Sequence, residues 1–536
     1  MDARKLVALS TVVLLLAGCD SGDINLQPTN IDNSTNTGGG GGGGGGGEGP
    51  CASYTTPGGT LREGVSDGED CIYPSTFSSA TNPVRVDLDI PLLDNGGVHI
   101  FQDVLAIGAN VSSGTAPAGG TGPVLTIAPG STLAFNDESD YLVINRGSRI
   151  VADGTPSTPI TFTSVTDAVL GTVGPEDVQQ WGGVVINGNG ITNNCTDAQR
   201  AADDCHVVSE GQPVHYGGDD NDDNSGILRY VVVKHTGSEV APDDELNGIT
   251  FNAVGSGTVV SHIETYSTYD DGIEFFGGAV DVDHFVAVYV RDDSIDYSDG
   301  YIGTIDTALV VQAQMDGNRC IEADNIGETR AADGVPLDTA PLTNPTITNL
   351  TCVLSVQDIG THSDTSEGPT LRRGPQIQLV DSIVFGAYAD DVDENSECFE
   401  LAEDNVTNNW AQTGESTVTN SLFACELAIQ GNALPNGDTQ TEWILGANPS
   451  TNGADYSFNA GNVVVQEADL FANGNIVILD SFYTATALVD NNGDPIVMTP
   501  ASGQLGAVTR DDDWTADWTY GLHPTNQGQA LWFGNP

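Results

Sequence analysis

One motif occurs twice in the middle of the chain, and its spacing restricts the fold more than any other feature. The copies are YDDGIEFFGG at Tyr269–Gly278 and RDDSIDYSDG at Arg291–Gly300, so matched residues lie 22 positions apart. Weaker copies around Ile249 and Ile321 extend the pattern, with a period of 22 to 26 residues. This period is too short for a β-α-β crossover and too long for a hairpin, and it is typical of stacked strands. The sequence therefore predicts an all-β solenoid, a single-stranded parallel β-helix.

The chain is strongly acidic. It carries 75 Asp and Glu against 15 Lys and Arg, a formal net charge of −60 over 536 residues. Such a charge repels nucleic acid and anionic lipid headgroups and attracts divalent cations. We therefore expect no nucleic-acid partner. A solvated acidic coat, suited to salty surroundings, explains the same charge without any specific ligand.

The N-terminus has the pattern of an export signal. Two basic residues precede the apolar run Leu6–Leu16, which is too short to span a membrane as a helix. The run ends in Leu-Ala-Gly-Cys at Cys19, which resembles a bacterial lipobox. The resemblance implies a lipoprotein signal peptide at residues 1–18, lipidation of Cys19 and anchoring in the cell envelope, with the outer membrane or cell surface favoured over the inner membrane. Residues 19–50 include ten consecutive glycines and predict a flexible tether.

Eight cysteines follow Cys19, an even number in an oxidising compartment. They occur as neighbours along the chain, which favours local disulfides. The predicted disulfides are Cys51–Cys71, Cys195–Cys205, Cys320–Cys352 and Cys398–Cys425. The sequence has no CxxC pair, so a zinc or thioredoxin-type site has no support from the cysteines.

Regular strand signals divide the chain into three parts after the tether. We predict an N-terminal cap or lead-in at residues 51–97, a parallel β-helix at 98–430, and C-terminal rungs with a cap at 431–536. Asn and Asp tolerate a left-handed backbone and are expected at corners of the coil. The corner residues expected in the later rungs are Asn349, Asp381 and Asn420. Insertions between strands are expected to form loops on one side of the coil: Asp167–Gln180, Asn193–Asn224, Gly327–Thr343 and Ala387–Glu415.

The last part of the chain is rich in tryptophan. Trp514, Trp518 and Trp532 lie in the segments DDDWTADWTYG and LWFG. The open end of a solenoid exposes backbone donors and apolar side chains, so we expect this tail to form a cap. The alternative is an aromatic platform that binds glycans.

Several motifs together resemble the β-helical surface lipoproteins of marine and Bacteroidetes-type bacteria, most of which have no assigned function. These motifs are the L-x-I…G-S-x-I run at Leu142–Ser164, DDGIEFFGG at Asp270–Gly278, LRRG at Leu371–Gly374 and the terminal D-W-T-x-x-W-T. The resemblance covers roughly residues 80–525. It implies a right-handed, pectate-lyase-like parallel β-helix with loop insertions and a C-terminal cap, located in the envelope. It implies no reaction.

The repeat places acidic residues on neighbouring rungs. With Ile273 and Ile295 pointing inward, alternation turns Asp270 and Glu274 outward, next to Asp292 and Asp296. Rungs are separated by about 4.8 Å, and two carboxylates at that distance repel by roughly 3–4 kcal/mol at an effective dielectric of 20. A bound cation, protonation, corner hydrogen bonds or splaying into water could offset this repulsion. We favour calcium, because it takes six to eight oxygen ligands in flexible geometry.

A second calcium candidate is the run DDNDDNSG that begins at Asp219 and includes Asp223. Every second residue from Asp219 to Ser225 has a side-chain oxygen, and this spacing is similar to that of a calcium-binding loop. The run lacks the glycine and the glutamate of an EF-hand. For both candidates the alternative is a set of Asx-rich turns on an acidic surface.

An enzyme must also be considered. The motif D-G-x-E at Asp271–Glu274, followed by D-D-x-I at Asp292–Ile295, resembles the acidic motifs of polygalacturonase-type glycoside hydrolases. The catalytic residues would then be Asp271, Asp292 and Asp293, acting as general acid and base in an inverting reaction. The Gly-His-Gly and Arg-Ile-Lys segments of those enzymes are absent. A calcium-dependent polysaccharide lyase would instead need a Lys or Arg base, for which Arg291 and Lys234 are the candidates.

The sequence favours a binding or structural role over catalysis. We expect an envelope lipoprotein whose β-helix body serves adhesion or the capture of glycans or nutrients, stabilised by calcium. Its expected partners are the membrane, through the lipid anchor, and a polysaccharide or an outer-membrane transporter. The alternative is a glycoside hydrolase or polysaccharide lyase that acts on an acidic polysaccharide.

Overall fold

A computed structural model describes residues 50–241, 244–355, 366–386, 397–402, 404–425, 429–466, 477–490 and 492–534. The predicted signal peptide, Cys19 and almost all of the predicted tether lie outside these residues. The described chain consists mainly of short strands paired in parallel, and most of them belong to two long sheets.

The first long sheet has ten strands, each from a successive rung. All of its pairings are parallel. Its four predicted isoleucines lie in direct register, with Ile249 beside Ile273, Ile273 beside Ile295, and Ile295 beside Ile321. The strands of this ten-stranded sheet are Leu105–Ile107, Leu142–Ile144, Val184–Asn187, Ile249–Asn252, Ile273–Phe276, Ile295–Ser298, Arg319–Asp324, Glu367–Arg372, Glu400–Leu401 and Gln430–Gly431.

The second long sheet has eighteen strands and bends into two faces. Its pairings are parallel except for one antiparallel pair near the N-terminus. Its strands are Val65–Asp67, Asp70–Tyr73, Leu88–Ile90, Val98–Phe101, Val124–Ile127, Thr132–Phe135, Arg149–Asp153, Ile160–Ser164, Gly226–Lys234, Val259–Tyr266, Asp281–Val288, Thr304–Val311, Thr346–Val353, Gln378–Val380, Ile383–Phe385, Thr417–Thr419, Leu422–Cys425 and Val463–Gln466. Together with the ten-stranded sheet, these strands form an all-β parallel β-helix, as predicted.

The eighteen-stranded sheet bends at a column of residues that have a positive φ, one on each of seven successive rungs. We call these residues the corner column: Tyr230, His262, His284, Thr307, Asn349, Asp381 and Asn420. The backbone at each position is left-handed, with φ between 48° and 65°. Asn and Asp adopt this conformation at low cost, and the predicted corners at Asn349, Asp381 and Asn420 are confirmed.

Small elements occupy the insertions and the ends. Two-stranded antiparallel sheets pair Ser53–Thr55 with Leu61–Glu63, Val207–Val208 with His215–Tyr216, Glu239–Ala241 with Asp244–Glu245, and Val477–Asp480 with Tyr483–Val489. The helical segments are Asp94–Gly96 (3₁₀), Thr166–Leu170 (π), and the α-helices Asp197–Ala201, Glu328–Ala332, Asn405–Thr413 and Gln440–Ile444. Among the described residues, none of the helices has the length and apolar character that a membrane span requires.

One hydrophobic core runs along the inside of the coil. It includes a column of stacked rings near the N-terminal end, in which Tyr73 lies 4.6 Å from Phe101, Phe101 lies 5.7 Å from Phe135, and Phe135 lies 4.4 Å from Trp181. Register produces this column, because Tyr73 pairs with Phe101 and Phe101 with Phe135 on adjacent strands. Parallel pairing thus begins with Asp70–Tyr73, inside the segment that the sequence suggested was a cap or lead-in.

The C-terminal region differs from the prediction that the tryptophan-rich tail caps the coil. The open end is covered instead by the segment around the helix Gln440–Ile444, whose Trp443 belongs to the interior core. The Gln440 side chain pairs with the backbone of Leu401 in both directions, at 2.8 and 2.9 Å. The tail packs along the side of the coil, where Trp518 joins the outward-facing Val286 and Leu309 in a separate cluster. Those rungs present valine and leucine outward, and this apolar stripe attracts the tail.

All four predicted disulfides are present. The Cα atoms of Cys51–Cys71, Cys195–Cys205 and Cys398–Cys425 are 5.5 to 5.6 Å apart, and those of Cys320–Cys352 are 6.3 Å apart. The last pair crosses the interior of the coil, since Cys320 lies in the ten-stranded sheet and Cys352 in the eighteen-stranded sheet. The disulfides therefore connect neighbouring parts of the coil and its insertions.

Candidate functional site

A row of carboxylates lies on the outward face of the ten-stranded sheet. Glu274 pairs with Asp296 and Asp296 with Glu322 in direct register, while Thr250 and Thr370 continue the row on either side. Strand alternation causes this arrangement, because the residues on both sides of each acid point into the core. The predicted stacking of Glu274 and Asp296 is therefore confirmed. Both are buried, with exposures of 6% and 9%.

A second row lies in the turns that precede these strands. Asn247 Oδ1 accepts from the backbone N–H of Asp271 at 3.1 Å, and Asp271 Oδ1 accepts from that of Asp293 at 3.1 Å. Asp293 Oδ1 in turn accepts from the backbone N–H of Arg319 at 2.8 Å. Each side chain thereby satisfies a backbone donor of the next rung. These carboxylates help to hold the coil together, whatever else they do.

Both rows belong to one group of eight acidic residues, which we call the acid cluster. Its members are Asp270, Asp271, Glu274, Asp292, Asp293, Asp296, Glu322 and Asp324. Three arginines lie at one end of it. Arg319 approaches Glu322 at 3.1 Å, Arg372 pairs with Glu322 and Asp324, and Arg373 approaches Asp324 at 2.7 Å. Among the described residues, these contacts therefore place three guanidinium groups beside the eight carboxyl groups of the cluster.

The insertion between Asn193 and Asn224 supplies one wall of the acid cluster. Asn252 Nδ2 donates to Ser209 Oγ at 2.8 Å and so holds this loop against the sheet. Glu210 of the same loop lies close enough to Glu274 to raise its pKa. Asn247, from the turn before the strand Ile249–Asn252, also donates to Glu274 Oε2. The loop and this amide cover Glu274 and contribute to its low exposure.

Burial and mutual repulsion raise the pKa values within the acid cluster. Burial is the main cause, and nearby carboxylates add to it, so the pKa values of Asp270, Asp271 and Glu274 lie well above their usual range. The same causes raise the pKa values of Asp293 and Asp296. They also raise the pKa of Asp324 to about 7, although Arg372 and Arg373 act in the opposite direction. Each of these groups therefore binds a proton more readily than an exposed carboxylate does.

Three overlapping sets of carboxylate oxygens are close enough to share a cation. Within each set, one oxygen per residue lies within 4.8 Å of the others. The sets are Asp270, Asp271 and Asp292; Asp271, Glu274 and Asp296; and Asp293, Asp296 and Glu322. The predicted metal ligands Asp270, Glu274, Asp292 and Asp296 are all in these sets. Oxygen-only donors of this kind suit Ca²⁺.

Unpaired polar atoms next to these sets also point to a ligand. The Oγ atoms of Ser294 and Ser298 and the Oδ1 atom of Asp324 are buried and have no hydrogen-bond partner among the described residues. All three residues are at least 95% buried. Ser298 follows Asp296 on the same outward face of its strand, so its hydroxyl lies beside the carboxylate row. A buried polar atom without a partner is costly, and a bound cation or its water would offset that cost.

The structure does not place the other predicted calcium ligands in such a set. Asp223 is buried, and its Oδ2 accepts from the backbone N–H of Asn189 at 2.9 Å. Asn221 Oδ1 likewise accepts from Ile191 N–H at 2.7 Å, whereas Asp219 is exposed. Among the described residues, neither aspartate falls in a set of three or more close metal-binding side chains. This segment closes turns against the end of a strand, and calcium at Asp219 and Asp223 stays a prediction.

The candidate catalytic residues Asp271, Asp292 and Asp293 all lie in the acid cluster, but the candidate bases lie elsewhere. Lys234 forms an ion pair with Asp167 at 2.7 Å, on the eighteen-stranded sheet. Arg291 pairs with Asp316 at 3.3 Å and donates to the carbonyl of Glu176. Both cations are therefore committed to other partners.

Sequence reasoning missed part of the acid cluster and a second acidic set beside it. Asp324 follows Glu322 by two residues in CIEAD, so alternation alone could have placed both on one face. The second set contains Glu367, Glu397 and Glu400. Burial raises the pKa of Glu397 to about 9. No repeat motif marks Glu397 and Glu400, because they lie in the insertion that begins at Ala387.

Comparison with known proteins gives a family but no function. A family model described as a pectate-lyase-like β-helix domain matches residues 117–463, well over half of the chain. Neither the curated proteins nor the solved structures contain a significant match to this sequence. The matched segment includes the whole acid cluster and both long sheets over most of their length. The chain therefore belongs to the pectate-lyase-like β-helix domain family.

Proposed function

We propose that this protein is a cell-envelope lipoprotein whose β-helix binds Ca²⁺ in the acid cluster and serves as an extracellular polysaccharide-binding module. The observation that carries the proposal is the charge of the cluster, with eight carboxyl groups against three arginines in a largely buried site. A divalent cation supplies the missing positive charge, and the sets of close oxygens supply its ligands.

The family supports the polysaccharide part of the proposal in general terms only. Pectate-lyase-like β-helices are compatible with modules that bind or cleave polysaccharides. The net charge of −60 adds a constraint, since a chain of this charge repels an acidic polysaccharide at long range. Ca²⁺ in the partly exposed region of Asp270 and Asp292 would reverse that repulsion locally. We therefore expect binding of acidic polysaccharides to depend on Ca²⁺.

The second candidate function is a glycoside hydrolase or lyase, and one observation favours it. The raised pKa values of Asp271 and Asp293 suit a general acid. One observation opposes it, because each of these carboxylates uses one oxygen to bind the backbone of the next rung. A second opposes only the inverting mechanism. Oxygens of Asp271 and Asp292 lie within 4.8 Å of each other, closer than the roughly 6.5–9.5 Å between the carboxyl groups of inverting enzymes and nearer to the roughly 5–5.5 Å of retaining ones.

The test compares three forms of the full chain. The Glu274→Gln/Asp296→Asn double variant removes two cluster charges while it keeps the size of both side chains. The Asp511→Asn/Asp512→Asn variant removes two exposed charges from the tail and serves as a control matched in net charge. Calorimetric titration with Ca²⁺ should give binding to the wild type and the control, and weak or no binding to the cluster variant. Equal Ca²⁺ binding by all three forms would contradict the proposed site.

The polysaccharide part is tested with the same proteins. Anionic polysaccharides are incubated with each form, with Ca²⁺ or with chelator, and both retention and new reducing or unsaturated ends are measured. Retention that needs Ca²⁺ and leaves the polysaccharide intact supports a binding module. Release of cleaved products that stops in Asp293→Asn would instead establish the enzyme.

A further inference from the structure

Two histidines occupy neighbouring positions in the corner column, on the opposite sheet from the acid cluster. His262 and His284 are adjacent because Ser261 pairs with Asp283 and Ile263 with Phe285 in the flanking strands. Their imidazole rings are stacked, with centroids 4.4 Å apart and planes inclined by 8°. The corner turn itself does not require histidine, since Asn349 and Asn420 adopt the same left-handed conformation in other rungs. The pair therefore needs a separate explanation.

The carboxylate of Asp283 lies beside the stacked rings. Its Oδ1 is 2.6 Å from His284 Nδ1, and its Oδ2 accepts from the Ser261 hydroxyl at 3.2 Å. Ser261 Oγ is in turn 2.7 Å from His262 Nδ1. One ligand atom each from His262, Asp283 and His284 lies within 4.8 Å of the other two. Four polar side chains thus converge on one point at the surface of the coil.

These donors differ chemically from those of the acid cluster. Two imidazole nitrogens and one carboxylate oxygen form a donor set that suits Zn²⁺ and related transition metals, whereas Ca²⁺ takes oxygen ligands. Zn²⁺ binds nitrogen and oxygen at about 2.0–2.2 Å, so its tetrahedral ligands are roughly 3.4 Å apart. One candidate atom from each residue lies within 4.8 Å of the other two, so small changes in the side-chain angles would bring the three to that spacing. The Asp283 side chain is 53% exposed, which leaves the fourth coordination position open to solvent.

Aromatic side chains pack against both imidazoles and limit their movement. Trp514 packs edge-on against His284, with centroids 4.6 Å apart, and Tyr230 lies 4.5 Å from His262 on the preceding rung. The aromatic rings restrict the histidine side chains, as the packing around established metal ligands does.

We propose that His262, Asp283 and His284 bind one Zn²⁺ ion at the corner of the eighteen-stranded sheet. Ser261 accompanies them as the hydrogen-bond partner that orients His262. The site is separate from the acid cluster and does not depend on the proposed function, because the two lie on different sheets and share no residue.

The test uses the full chain in excess Ca²⁺, so that Ca²⁺ rather than the added Zn²⁺ occupies the acid cluster. Zn²⁺ is titrated against a chromophoric chelator, and Co²⁺ is used as a spectroscopic probe of tetrahedral coordination. The variants are His262→Asn and His284→Asn, which retain a residue that the corner column already accepts, and Asp283→Asn. His215→Asn, whose histidine is outside this set, is the control. Circular dichroism confirms that each variant is folded.

We expect the wild type and the control to bind one equivalent of Zn²⁺. Each of the three variants should lose at least the roughly 10–100-fold in affinity that removal of a supporting partner costs at a metal site. Co²⁺ should also quench tryptophan fluorescence in the wild type and quench it less in Trp514→Phe. Equal Zn²⁺ affinity in wild type and His262→Asn, or the absence of uptake by the wild type, would overturn the proposal. The Glu274→Gln/Asp296→Asn variant should bind Zn²⁺ normally, which separates this result from any failure of the calcium site.

Discussion

Asp271 Oδ1 accepts a hydrogen bond from the backbone N–H of Asp293 at 3.1 Å, and so one acidic residue supports the backbone of the next. Both side chains belong to the acid cluster. The same carboxylates thus stabilise the coil through hydrogen bonds and destabilise it through charge. A substitution that removes the charge but keeps the hydrogen bond separates these two effects experimentally.

We predict that Asp271→Asn and Asp271→Ala have different effects on stability. Asparagine keeps an oxygen that can accept from Asp293 N–H and removes one charge from the cluster. Alanine leaves that buried N–H without a partner, at a cost of about 1–3 kcal/mol. In chelator, thermal unfolding should therefore show a lower Tm for the alanine variant and an equal or higher Tm for the asparagine variant, relative to wild type. Equal losses in both would show that the hydrogen bond contributes little.

Without metal, stability should fall as the pH rises. Unfolded Asp and Glu have pKa values of about 4, whereas the folded values are raised, to about 7 for Asp324 and about 9 for Glu397. These carboxyl groups therefore bind more protons in the folded chain than in the unfolded chain, and their contribution to the free energy of unfolding decreases with increasing pH. Buried histidines such as His99, whose pKa is lowered to about 4, act in the opposite direction below about pH 6.5. Chelated protein should therefore lose Tm most clearly above pH 6.5, as the pH passes the Asp324 value of about 7 and then the Glu397 value of about 9.

Calcium should reduce this pH dependence. Bound Ca²⁺ favours the ionised carboxylates and stabilises the folded state by mass action. The Glu274→Gln/Asp296→Asn variant should show a shallower dependence in chelator and little response to Ca²⁺. Buried groups outside the cluster retain part of the slope, because burial also raises the pKa of Asp140 to about 7. A pH dependence unaltered by the double substitution would place its origin elsewhere.

Trp518→Ala should release the tail without unwinding the coil. Trp518 is 1% exposed, and its Nε1 donates to the carbonyl of Trp514 at 2.8 Å. Loss of a buried tryptophan costs about 3–5 kcal/mol. Here the substitution should weaken the packing of the tail against the side of the coil rather than the coil itself. Limited proteolysis should then cut residues 505–534 faster, while the circular dichroism of the β-structure is unchanged. Val497→Ala, at a position that is 83% exposed, is the control.

The interior disulfide should resist reduction in the folded protein. Cys320 and Cys352 are both fully buried, whereas Cys51 of the N-terminal pair is partly exposed. Mild reductant followed by alkylation and mass spectrometry should therefore label Cys51 and Cys71 first. Replacement of Cys320 and Cys352 by alanine opens a loop of 32 residues and should cost about 3–4 kcal/mol. Early labelling of Cys320 would contradict this order.

The repeat could be predicted from the sequence because the spacing between matching residues determines which of them lie side by side in a β-helix. The period of 22 to 26 residues placed Ile249, Ile273, Ile295 and Ile321 in one ladder, and alternation then placed Glu274 beside Asp296. The corners at Asn349, Asp381 and Asn420 followed from the backbone preferences of Asn and Asp. These features depend on local spacing alone.

The remaining features depend on contacts between distant segments, which spacing does not encode. The cover over Glu274 includes the loop at Ser209 and Glu210, and the partial charge balance of the cluster requires Arg372 and Arg373, about fifty residues beyond Glu322. The lateral packing of the tail follows from the outward-facing valine and leucine of earlier rungs. His262 and His284 are 22 residues apart, as the repeat requires, but the approach of the Asp283 carboxylate to both depends on side-chain conformation, which spacing does not encode.

The position of the tail has a consequence for how the molecule unfolds. In most solenoids each repeat contacts only its neighbours, so the array can come apart one repeat at a time. Here residues 506–532 hydrogen-bond to Glu264, Gln312, Thr351 and Asp381, which lie on different rungs. Fraying of any one of these rungs must also break contacts that brace the others. The central part of the coil is therefore a single cooperative unit rather than a chain of independent repeats.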